Sequence, residues 1–62
     1  MTDRDHWTLD AMVKLGGSFV SALGEAGLRA DAINLQLIKK TWPEYWKQYE
    51  VMGRKLKKED SE

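Results

Sequence analysis

The stretch that decides the fold is Thr41-Trp42-Pro43-Glu44-Tyr45-Trp46-Lys47-Gln48-Tyr49, which holds four of the chain's six aromatic residues. Trp42, Tyr45, Trp46, Tyr49, Met52, Gly53 and Leu56 fall on one arc of roughly 120° when wound at 3.6 residues per turn. Glu44, Lys47, Glu50, Arg54 and Lys55 face away, and Val51 is the one apolar residue among them. Thr41 and Glu44 have the spacing of a capping box, in which each side chain bonds the other residue's amide. Pro43 is tolerated in a first turn because its missing N–H has no partner there. The pattern predicts a helix opening at Thr41–Glu44 and running to about Leu56.

Working towards the N-terminus, Asp31 is a suitable N-cap for a short helix from Ala32 to about Lys40. Its apolar residues fall on two sides: Leu35 and Ile38 together, Ile33 and Leu37 well round from them. A single neighbour covers one side. The other predicts a subunit contact, or a compact core that wraps it. Before this, Leu28 to Ala30 reads as a turn and Gly27 as a left-handed C-cap. From Thr8 to Ala26 a long helix is predicted, with Leu9, Met12, Val13, Leu15, Phe19, Val20, Ala22, Leu23 and Ala26 on an arc of roughly 200°. That arc is too wide for one neighbour. Gly16, Gly17 and Gly24 lie inside it, each costing about 1 kcal/mol against alanine, so close approach of another helix should offset them. The rival reading is a break at Gly16-Gly17. Continuity is preferred, because the apolar and polar faces stay in phase across the pair. Residues 1–7 and 57–62 are expected to be loose ends.

These elements define one all-α domain over residues 1–62: three helices, or a helical hairpin with a short middle helix. The first and third are expected to pack antiparallel, Phe19 and Leu23 against Trp46 and Tyr49. A chain of 62 residues buries only about 60% of the surface its unfolded form exposes. Small domains usually add a disulfide, a metal or a partner subunit. With no cysteine and one histidine, the first is excluded and a thiolate or multi-histidine metal site is too. A homodimer is the expected remedy.

Composition narrows the function. Met1 to Asp10 is polar with three aspartates, so no secretory leader is expected. No apolar run approaches the roughly 20 residues that span a bilayer. A cytoplasmic protein with no membrane contact is the reading. Net charge is zero; residues 32–62 hold seven basic and five acidic groups, short of a nucleic-acid footprint. The polar face of the first helix lacks the Lys/Arg enrichment of interfacial helices.

The candidate site is the aromatic face, Trp42, Tyr45, Trp46, Tyr49 and Met52. Buried, it is a core; exposed, it is a docking face, since Trp and Tyr anchor interfaces. The two roles can coexist. Lys39, Lys40, Lys55 and Lys57 are the candidate phosphate contacts of an alternative, weak nucleic-acid binding through the basic C-terminal half. Lysines on the helix face opposite the aromatics argue against it, because stacking and charge then fail to converge. A helix-turn-helix drawn from the first two helices would expose only Asn34, Gln36, Lys39 and Lys40, with Asp31 at its start. His6 stands alone among aspartates, Ser18 and Ser21 have no base within helical reach, and no Asp/Glu/His set has metal-ligand spacing. No enzyme, cofactor or metal is expected.

Gly16-Gly17-Ser18-Phe19-Val20-Ser21-Ala22-Leu23 and Trp42-Pro43-Glu44-Tyr45-Trp46-Lys47-Gln48-Tyr49, with Met52, resemble segments of small helical proteins encoded by bacteriophages and prophages. In those, an alanine-rich helix leads through an acidic turn to a Pro-Glu-Tyr aromatic segment. The likeness covers about residues 9 to 53, with Trp42 where the pattern usually carries phenylalanine. It implies a phage-related origin and a host-cell cytosolic setting, and no functional residue carries over. Together these readings predict a non-catalytic protein–protein interaction module, a phage accessory or regulatory protein that binds a host or phage protein.

Overall fold

The structure, a computed structural model, describes residues 1–60. Among the described residues it is all-helical, with four helices: α1 (Asp3–Leu15), α2 (Ser18–Arg29), α3 (Ala32–Thr41) and α4 (Pro43–Asp60). The three-helix count is therefore corrected. The long helix expected from Thr8 to Ala26 is two helices, parted at Gly16-Gly17.

The physical reason lies in competing costs. Two adjacent glycines inside a helix forfeit about 2 kcal/mol against alanine, and phase matching of the faces does not return it. Gly16 and Gly17 instead take extended backbone, with ψ of 157° and −174°. The break lets α2 fold back along α1. As α1 runs from Leu9 to Val13, its neighbours on α2 run back from Gly27 to Ser21. The Ser21 hydroxyl donates to the Val13 carbonyl at 3.1 Å. That satisfies one of the four carbonyls a helix leaves open at its C-terminus and fastens the hairpin.

α1 also starts earlier than expected. Thr2 caps it: the Asp5 amide donates to the Thr2 hydroxyl at 3.1 Å, and the Thr2 amide donates to the Asp5 carboxylate at 3.5 Å. Residues 3–7, expected loose, are thus the first turns of a helix. At the other end α4 is helical through Asp60, past the expected stop at Leu56; residues 61 and 62 lie outside the described residues. Gly27 is not a C-cap either. It lies within α2, no glycine has a positive φ, and the chain leaves α2 at Ala30.

Between α3 and α4 the backbone hydrogen bonding hardly pauses. The Trp42 amide donates to the Ile38 carbonyl and the Trp46 amide to the Trp42 carbonyl, both at 3.0 Å. Pro43 forces the break, because its ring disfavours helical backbone at the preceding residue. Trp42 sits at φ −125°, ψ 61°. Thr41 is consequently the last residue of α3 and not a cap for α4, which corrects the expected Thr41–Glu44 capping box. The Asp31 cap is present: its carboxylate accepts from the Asn34 amide at 2.8 Å.

The core gathers Leu9, Ala11, Met12, Val20, Leu23, Leu35, Trp46 and Tyr49. Leu9 and Met12 are fully buried, and so is Thr8, whose hydroxyl donates to the Arg4 carbonyl at 2.9 Å. α1 is the central element, packed against α2 on one side and α4 on the other. Two glycines make those approaches possible. A Cβ on Gly24 would lie 2.9 Å from the Leu9 carbonyl oxygen, and one on Gly53 would lie 2.6 Å from the Trp7 carbonyl oxygen. α3 is held more thinly, burying a single side chain, Leu35.

Candidate docking face

α4 distributes its aromatic arc between two environments. Trp46 and Tyr49 point inward and are each 8% exposed. Trp42 and Met52 are half-buried against the same core. Tyr45, one step round the helix, is 37% exposed. The expected face is thus divided by the helical angle: its centre serves the core, and its edge reaches the surface.

Phe19 joins that edge. It was expected in the core against Trp46 and Tyr49, but it is 54% exposed. Its ring meets Trp42 edge-on at 5.9 Å and 66°, and Tyr45 at 6.3 Å and 53°. Tilted, offset rings at these distances are the favoured aromatic geometry. Leu23, by contrast, does share the core with Trp46 and Tyr49. The difference arises at the Gly16-Gly17 break. Phe19 is the second residue of α2 and sits beside the start of α4, so it stops short of the interior. Residue-level reasoning missed Phe19 as a surface residue; the glycine pair seven positions after Leu9 was the available signal.

The aromatic corner Phe19–Trp42–Tyr45 opens onto two shallow depressions. One, of about 360 Å³, is lined by Thr41, Trp42, Pro43, Glu44 and Tyr45. The other, of about 400 Å³, is a groove between α2 and α3 that includes Ala26, Ala30, Leu37, Ile38 and Trp42. Both share Thr41 and Trp42, so they are neighbours on one side of the molecule. Their linings are mixed: Thr41 and Glu44 border the first, and Arg29, Asn34 and Thr41 border the groove beside its apolar residues.

Of the four candidate phosphate-binding lysines, Lys39 is engaged within the fold: its ammonium lies 2.8 Å from the Asp5 carboxylate and 4.9 Å from the centre of the Trp46 ring. It clasps α3 to α1 and α4 at once. Burial works to raise the Asp5 carboxyl. The hydrogen bond and charge of Lys39, with the Thr2 hydrogen bonds, outweigh it and hold the group below its ordinary 3.8. Lys40, Lys55 and Lys57 are exposed, and the Phe19–Trp42–Tyr45 ring contacts involve none of them.

Among the described residues, no group of three or more His, Cys, Asp or Glu side chains is placed to hold a metal ion. His6 is exposed at the rim of a depression that also includes Trp7, Asp10 and Lys14 of α1 and Leu56 of α4. No described helix is long and apolar enough to cross a membrane. Neither family models, curated proteins nor solved structures yield a match to this chain.

Proposed function

We propose that this protein is a non-catalytic protein–protein interaction module that docks a partner through the corner formed by Phe19, Trp42 and Tyr45. The observation that carries the reading is the exposure of Phe19, at 54%, in ring contact with Trp42 and Tyr45. A soluble fold gains nothing from leaving a large aromatic in water: burying such a side chain is worth about 1.5–3 kcal/mol. Aromatic rings carry large contact area with few rotors, which makes them effective anchors. The bacteriophage resemblance supplies the setting we propose, an accessory or regulatory protein in a host-cell cytosol, acting as a homodimer.

A photoreactive phenylalanine analogue tests the reading. Placed at Phe19 in producing cells, it should give discrete protein adducts on irradiation. Placed at Val51, which is 44% exposed on a different side of α4, it should give none. Adducts equal in number and pattern from both positions, or from neither, would remove the proposal.

A further inference from the structure

α3 carries an apolar ridge that nothing in the monomer covers. Ile33 is 75% exposed and Leu37 is 54% exposed, one helical turn apart. Beside the ridge runs the α2/α3 groove, which Leu37 itself borders and whose lining includes Ala26, Ala30 and Ile38 together with the polar Arg29 and Asn34. Ridge and groove lie side by side on one face, and that pairing suits an isologous contact. Under a two-fold axis the ridge of each copy enters the groove of the other. The small side chains of Ala26 and Ala30 give the entering ridge room.

We infer that the occupant of this face is a second copy of the chain, with the two α3 helices antiparallel and Leu37 seated in the partner's α2/α3 groove. This deepens the interaction-module reading and rests on it in one respect only, that the uncovered apolar surface exists for protein contact. Three observations favour a second copy. Charge comes first. α3 begins at exposed Asp31 and ends at exposed Lys40. Antiparallel pairing brings Lys40 near the partner's Asp31, whereas parallel pairing sets like charges together. Helix dipoles favour the same orientation. With a net charge of zero, two copies also meet without general repulsion. Thin anchoring is the second. A helix of ten residues is marginal alone, and this one buries only Leu35 in its own chain. Area is the third. A stable interface needs roughly 800 Å² per partner, a little under a fifth of the 4504 Å² this molecule exposes. Ridge and groove together draw on both α2 and α3, with Ile33 and Leu37 each more than half exposed.

The test is solution mass by size-exclusion chromatography with light scattering across a concentration range, on the wild type and on Leu37→Glu, Ile33→Glu and Val51→Glu. Helical circular dichroism confirms that each variant is folded, which is expected since all three positions are exposed. The proposal expects a wild-type dimer, monomers for both α3 variants, and a dimer for Val51→Glu. It also expects a wild-type melting temperature that rises with protein concentration. A dimer that survives Leu37→Glu and Ile33→Glu would overturn the assigned face while leaving the interaction reading intact. A wild type that stays monomeric at every concentration would overturn the second copy as occupant; the Phe19 photocrosslink then decides the interaction reading independently.

Discussion

Gly53→Ala is the sharpest probe of how α1 and α4 meet. A Cβ at position 53 would lie 2.6 Å from the Trp7 carbonyl oxygen, 2.8 Å from its carbon and 3.1 Å from the Thr8 nitrogen. All three are backbone atoms, so no side chain can swing aside. Ordinary contact begins at 3.4 Å, and the two helices would have to part locally by about 0.8 Å. Overpacking of this kind costs about 1–3 kcal/mol; with rigid backbone on the far side the upper part of that range applies. Alanine returns about 1 kcal/mol through helix propensity. The net loss is about 1–2 kcal/mol, or roughly 5–15 °C in melting temperature for a domain this small. Gly17→Asp is the matched control. Nothing lies within 4 Å of a Cβ there, and α2 has no side-chain cap. Aspartate supplies the cap, favours the helix dipole and restricts the unfolded chain, a gain of about 1 kcal/mol. Thermal melts by circular dichroism on the three proteins, at one concentration, should order them Gly17→Asp, wild type, Gly53→Ala from highest to lowest. A Gly53→Ala protein that melts at or above the wild type would mean that the α1 and α4 backbones do not touch.

Trp46→Ala should remove about 3–5 kcal/mol and with it the surface beneath the Lys39 ammonium; a cooperative melt retained at room temperature would place Trp46 outside the core. The lowered pKa of Asp5 implies stability fully present above about pH 4, close to the ordinary value, and lost as pH falls through the depressed native value. Asp5→Asn should flatten that acid limb in a pH series of melts, and an unchanged limb would dissociate the Lys39 clasp from acid sensitivity. Substituting Lys39, Lys40, Lys55 and Lys57 together by glutamine should leave retention on a nucleic-acid column unaltered, because the wild type is expected to show none at moderate salt; a retention that falls steeply with salt in the wild type and vanishes in the variant would revive phosphate binding.

Much of the architecture was legible in residue order. The helical arc from Tyr45 to Leu56 and the Asp31 cap of α3 needed only helical periodicity and local hydrogen bonding; both are present, with Trp42 left at the α3/α4 junction. Burial of Trp46 and Tyr49 followed from the same arc. The failures share a cause. At Gly16-Gly17 the local cost of two glycines outweighs continuity of the apolar face, and the break leaves Phe19 at the surface and not in the core. At Thr41 the capping-box spacing is present, but the restriction that Pro43 places on Trp42 is the stronger rule. At the N-terminus, Thr2 and Asp5 form a capping box with aspartate where glutamate is usual, and the short acid hid it. The Lys39 clasp was beyond reach of any local pattern. It joins Asp5, Lys39 and Trp46 across 41 positions, and only the assembled helices bring them together. The two-sided reading of α3 did survive, with Leu35 inside and Ile33 and Leu37 outside.

The contact between Trp7 and Gly53 has a consequence for how the chain is made. α1 leaves the ribosome before α4, one of the two helices packed against it. Until α4 emerges, α1 and α2 can form their hairpin, but the side of α1 meant for α4 has nothing to close on. Joining Trp7 to Gly53 closes a long loop, an entropic cost that rises only slowly with length yet falls due before any of the reward. The α1–α4 contact therefore forms only once the chain through Gly53 has emerged. A nascent chain stalled short of Gly53 should present Trp7 and Thr8 less well covered, a target for chaperones and proteases that the folded domain no longer offers.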